Sequence, residues 1–122
     1  MAQGEFMKKQ ELIEKICNAA LDKKAENVVV MDIAELTVIA DNFIICSGSS
    51  HSQVKAICDN IEEQLKKAGE DAVKIDGYND AHWIVMDYAD VFVHIFYYED
   101  RNFYNLERLW NNGNNLYVFS DK

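Results

Sequence analysis

The sequence predicts a single α/β domain, of the α+β kind with a mixed sheet, whose elements run α-β-β-α-β-β-β-α. Three observations predict it. Residues 7–24 and 50–69 repeat apolar side chains three and four positions apart, the spacing of one helix face. Two uninterrupted apolar runs, Val28 to Met31 and Phe43 to Cys46, suit strands covered on both sides. Residues 83–88 and 91–97 are then joined only by Ala89 and Asp90, as in a hairpin. The hairpin supplies an antiparallel pair and a helical crossover allows a parallel one, so helices should pack on a mixed five-stranded sheet.

The first helix, residues 7–24, shows Leu12, Ile13, Ile16, Cys17, Ala20 and Leu21 on one side. Met7 opens this pattern directly, so residues 1–6 read as an added leader and Met7 as the natural start; an intact mass of the native protein checks this. Residues 27–33 form the first strand. After a connector carrying Leu36 and Ile39, residues 42–47 form the second, which Gly48 ends. Ser50, with Gln53 three residues on, can cap the second helix and receive a contact back from the glutamine. Val54, Ile57, Ile61 and Leu65 make that helix's stripe, Cys58 flanks it, and Gly69 offers a left-handed terminus.

Residues 72–75 read as a short strand leading into a turn at 76–80. Along the second strand of the hairpin, Val91, Val93 and Ile95 should face one way and Phe92, His94 and Phe96 the other. Glu99 and Asp100 suit the start of a third helix, with Phe103, Leu106, Leu109 and Trp110 as its apolar stripe. The domain is therefore 7–110. In the tail, 111–122, residues 116–119 either dock as a last strand or lie loose.

Composition narrows the function. Of 122 residues, 49% are hydrophobic and 27% charged, enough apolar material for a core. The net charge of −9 repels phosphate backbones and anionic membranes, which disfavours direct DNA binding and favours a basic protein partner. No apolar run is long enough for a membrane span, and Cys17, Cys46 and Cys58 are an odd number at wide spacings without a CxxC pair. A reducing cytoplasm and three core thiols follow.

Catalytic chemistry finds little support. The turn Ser47-Gly48-Ser49-Ser50 between strand and helix could seat a phosphate, as in magnesium-dependent nucleotidyltransferases. Those enzymes also need carboxylates two apart on a strand, whereas Asp59 and Glu62 fall on a helix and Glu70 and Asp71 are adjacent. The turn thus reads as a helix cap. His51, His82 and His94 form no ligand pair by spacing, and His94 reads as a hydrogen-bonded strand residue. No cofactor or metal is expected. The hairpin, by contrast, gathers Trp83, Asp87, Tyr88 and Asp90. Aromatics of this kind dominate protein interfaces and carboxylates steer basic partners, yet Trp83 could equally plug the core and Asp90 serve the turn. Spacing leaves both readings open.

Three blocks in order carry a family resemblance: ADNFIICSGSS from Ala40 to Ser50 with Gln53-Val54-Lys55; WIVMDYADV from Trp83 to Val91, through His94-Ile95-Phe96; and RNFYNLERLW from Arg101 to Trp110. Over most of residues 8–110 the chain resembles the ribosomal silencing factor (RsfS, Iojap) family. The resemblance implies a nucleotidyltransferase-like fold without catalysis, often homodimeric. It also implies binding to the large ribosomal subunit through large-subunit ribosomal protein fourteen, which blocks small-subunit joining and lowers translation when nutrients are scarce. Partner-binding positions carried over are Trp83, Met86, Asp87, Tyr88 and Asp90 on the hairpin, and Phe103, Tyr104 and Leu109 on or behind the last helix. Two departures stand out. Ala89 occupies a usual glycine position, where a left-handed turn would be strained, and Tyr98 replaces a common proline. The rival readings are a magnesium-dependent nucleotidyltransferase and a structural homodimeric subunit of another assembly.

Overall fold

The computed structural model describes residues 2–119, and the side chains of residues 9–119 apart from Phe103. Elements follow in the order α1 (Ala2–Asp22), β1 (Glu26–Asp32), β2 (Asn42–Gly48), α2 (His51–Lys67), β3 (Lys74–Asp76), β4 (Trp83–Asp87), β5 (Val91–Tyr97), α3 (Tyr98–Tyr104), α4 (Leu106–Trp110) and β6 (Leu116–Val118). The sheet has six strands in the order β3-β4-β5-β2-β1-β6, one more than the sequence predicts. The additional strand is the tail, which docks antiparallel on β1 with Val29 opposite Val118 and Met31 opposite Leu116. Asn115 prepares that docking, because its side-chain amide donates to the backbone oxygens of Asp32 and Trp110.

The central pair, β2 and β5, is parallel, in register from Asn42 opposite Val91 to Gly48 opposite Tyr97. The other neighbours run antiparallel, so the sheet is mixed as expected. Period-two alternation divides the strands into two faces. Val28, Val30, Ile44, Cys46, Ile84, Met86, Val93 and Ile95 meet Ile13, Ile16 and Cys17 of α1 and Val54, Ile57, Ile61 and Leu65 of α2. Val29, Met31, Phe43, Ile45 and Phe96 occupy the opposite face, where Leu106 of α4 packs on them.

The expected helix cap is present. Ser50 Oγ accepts from the Gln53 N–H at 3.0 Å, and Gln53 Oε1 reaches back to accept from the Ser49 N–H at 2.7 Å. Gln53 also donates to the carbonyls of Lys23 and Lys24, closing the end of α1. The predicted third helix is instead two. Asn105 adopts a left-handed conformation, φ 49° and ψ 58°, ending α3, and its side chain accepts from the Arg108 N–H to begin α4. Asparagine is a residue type that tolerates that conformation and caps well, so one side chain both breaks and restarts the helix. At the other end, helical backbone begins at Ala2, ahead of the predicted start at Met7.

Candidate protein-docking face

The face opposite α1 and α2 is aromatic. Trp83 on β4 stacks on Phe96 of β5, ring centres 5.0 Å apart, and tilts against Tyr104 of α3 at 4.6 Å. Phe43 meets His94 edge-on at 4.5 Å and Trp110 at 5.5 Å, and Phe92 lies 6.4 Å from Phe43. Trp83, Phe92 and Trp110 are half-buried, so each presents part of its ring to solvent. Tyr104 is 46% and Leu109 73% exposed. Together they form an apolar patch with aromatic anchors, the chemistry of a protein interface.

Strand alternation sorts the carried-over positions into two groups. Trp83 and Asp87 share the aromatic face, about 13 Å apart along the strand. Met86 and Tyr88 point the other way, Met86 fully buried and Tyr88 nearly so among the residues under α1 and α2. Both therefore lie behind the aromatic face, as their odd spacing from Trp83 requires. Asp90 is exposed in the turn. Asp87 is half-buried and its Oδ1 accepts the Ala89 N–H at 2.7 Å, so one carboxylate oxygen holds the turn. Ala89 has φ 72°, the left-handed strain its sequence position forewarned. Tyr98 opens α3, where the fixed φ of a proline would fit. The side chain of Phe103 lies outside the described residues. Leu109, predicted to lie on the apolar stripe, is exposed, whereas Leu106 is buried and Trp110 half-buried.

His94 is buried as the strand position suggests, and its Nδ1 accepts the Trp83 indole N–H at 3.0 Å. The proton of the neutral ring therefore sits on Nε2, which is buried without a hydrogen-bond partner. Burial pushes the imidazole pKa down from 6.5 to about 4. The Tyr88 hydroxyl is similarly buried without a partner; burial raises its pKa, with nearby Glu62 adding to the effect.

Arg101 opens the third family block, but nothing in the sequence shows that it bridges the helices beside the patch to the sheet. It is buried, donates from Nε and Nη2 to Glu107 at 3.0 and 2.7 Å, and from Nη1 reaches the Glu26 carbonyl and Ser47 Oγ, each at 3.3 Å. One guanidinium thus joins α3, α4, β1 and β2.

Elsewhere, the phosphate-like turn is committed to its cap: the Ser49 N–H and hydroxyl both donate to Gln53. His51 and His82, distant in sequence, come together at the carboxyl ends of β2 and β5, ring centres 4.6 Å apart, with His51 stacked on Tyr97 and His82 Nδ1 2.7 Å from Asp100. Only the crossover could reveal that pairing. Among the described residues no group of three or more His, Cys, Asp or Glu is placed to hold a metal ion, and no helix is long and apolar enough to cross a membrane. Cys17, Cys46 and Cys58 are buried and free, and burial pushes each thiol up to about 12.

Fold and face together define a small mixed-sheet α/β domain with the long helices α1 and α2 over one side and, on the other, an aromatic patch that the short α3 and α4 cover in part. The chain belongs to the ribosomal silencing factor family: residues 7–121 match the family described as "Ribosomal silencing factor during starvation". It is 41% identical over 104 residues to ribosomal silencing factor RsfS of Halalkalibacterium halodurans, covering 85% of this chain and 89% of that one. It is also 41% identical over 102 residues to RsfS of Bacillus subtilis, covering 83% and 86%. A crystal structure of a Chromobacterium violaceum protein superposes with a TM-score of 0.81 at 33% identity, covering 83% of this chain and 84% of that one.

Proposed function

We propose that this protein silences ribosomes by docking on the large subunit through large-subunit ribosomal protein fourteen, so that its body occupies space the small subunit needs and translation falls when nutrients are scarce. The observation that carries this reading is the half-buried Trp83, held among Phe96, His94 and Tyr104 on a face that, among the described residues, no helix fully covers. Such an indole buries large apolar area on contact. Trp83, Tyr104 and Leu109 form the grip, Asp87 and Asp90 rim it, and a net charge of −9 draws the molecule toward basic ribosomal protein. Met86 and Tyr88 act from behind, holding the hairpin. The protein acts as a cytoplasmic wedge, often paired with a second copy, and makes or breaks no bond itself.

Sucrose-gradient sedimentation of the native protein in its own extract tests the reading. Cosedimentation with free large subunits, and a reduced yield of joined ribosomes on adding the protein, support it; absence from the large-subunit fractions refutes it. Magnesium-dependent nucleotide binding by calorimetry would instead favour the nucleotidyltransferase rival.

A further inference from the structure

The rings around Trp83 restrict where its indole lies without deciding which edge points outward. Phe96 stacks on it and Tyr104 tilts over it, but neither ring distinguishes the pyrrole edge from the benzene edge. A rotation about χ2 exchanges the two edges, and that torsion is broad for aromatic side chains. Only a directional bond selects one. The bond is made by His94, whose Nδ1 accepts the indole N–H at 3.0 Å. His94 lies opposite Val85 in the β4–β5 ladder, which makes Trp83 its diagonal neighbour on the same face.

The fold gives up stability for this arrangement. Accepting at Nδ1 forces the proton onto Nε2, where it is buried and unpartnered. The ring is only 6% exposed, and the rings against it, Phe43 from β2, Trp83 from β4 and Phe96 from β5, are uncharged, so it folds as the neutral base. A phenylalanine would fill the same place without either penalty. A local sacrifice of stability that orients one solvent-reaching indole has the signature of a functional residue.

We propose that His94 is the positioning residue of the docking face, its Nδ1 fixing the Trp83 indole in a single orientation before the partner arrives. This rests on Trp83 being the docking anchor. His94 itself touches no partner; it lowers the ordering entropy that the indole would otherwise lose on contact.

His94→Phe keeps a ring and removes the acceptor. Binding to purified large subunits should weaken about three- to tenfold, while the melting temperature stays level or rises. His94→Asn, whose Oδ1 can stand where Nδ1 stood, should recover part of the affinity despite a lower melting temperature. In a Trp110→Phe background Trp83 is the sole indole, and adding His94→Phe should shift its emission and broaden its lifetimes. Affinity unchanged in His94→Phe, or affinity that simply tracks melting temperature across both variants, overturns the proposal. Trp83→Ala in the same assay separates the two claims. If it loses binding while His94→Phe does not, docking stands and positioning falls; if it binds normally, the docking reading is itself wrong and the positioning role falls with it.

Discussion

The two faces of the sheet are built from the same strands and differ in almost everything else. Toward α1 and α2 the side chains are mostly aliphatic and closed off from water; Ile44, Ile84, Met86, Val93 and Ile95 are fully buried. Toward α3 and α4 they are aromatic and incompletely covered, with Trp83, Phe92 and Trp110 half-buried and His94 left with an unpartnered nitrogen. One face supplies the burial that folds the chain, and the other spends part of its apolar area on being reachable. Adjacent residues of one strand, such as Val85 and Met86, therefore answer to different demands.

Neighbouring truncations break or sharpen that contrast most directly. Met86→Ala, on the closed face, should cost about 3 kcal/mol of stability through lost burial and the cavity left behind, seen as an early urea midpoint. Trp83→Ala, three residues away, should keep a cooperative transition yet lose binding to large subunits about thirtyfold or more, an interface hot-spot loss of about 2 kcal/mol. Equal stability losses with no binding difference would erase the distinction between the faces.

Arg101→Met tests how far the open face depends on its bracket. Removing the guidanium partner of Glu107 leaves a largely buried carboxylate, and stability should fall by about 3 kcal/mol. Ribosome binding should fall as well, because α3 and α4 carry Tyr104 and Leu109. Wild-type binding with loosened helices would show that the grip lies on the hairpin alone.

The pH dependence of stability sharpens the contrast further. His94 has a folded pKa near 4 against 6.5 unfolded, so between those values the unfolded chain holds a proton that the native state lacks. Its contribution is fully present above about pH 6.5 and is lost as pH falls toward 4, up to about 3 kcal/mol in total. Denaturant midpoints at pH 7 and pH 4.5 should therefore diverge less in His94→Phe than in the wild type. An identical divergence would mean that carboxylates alone set the acid limit.

The smallest effect concerns the turn between the two hairpin strands. Ala89→Gly relieves a φ of 72° and should raise stability by about 0.5 kcal/mol, with binding unchanged.

Much of the architecture was legible because local rules and tertiary packing agree. The apolar period of 12–21 and 54–65 marks two helix faces, Ser50 and Gln53 mark a cap, and the unbroken run at Val28 marks a doubly covered strand. The alternation of Val91, Val93 and Ile95 against Phe92, His94 and Phe96 was readable to the residue. The proposed docking face was legible in part. Trp83, Asp90, Tyr104 and Leu109 stand where a partner could reach them, whereas Met86 and Tyr88 are turned inward. Family blocks carry candidate site residues, but an exposed residue and a buried one occupy the same block when they alternate on one strand. The break at Asn105 escaped notice because the apolar stripe runs past it, and its φ is chosen by packing on both sides.

What the sequence determined unaided is whatever depends on neighbours along the chain: helix and strand periods, the cap, the hairpin, the acid charge and the family blocks. Tertiary structure alone decided that 116–118 joins β1, that Arg101 spans four elements, that His94 aims its nitrogen at Trp83, and which hairpin side chains meet water. Each of those pairs groups brought together by the sheet's register and crossover, and their energies exist only once distant segments share a desolvated space.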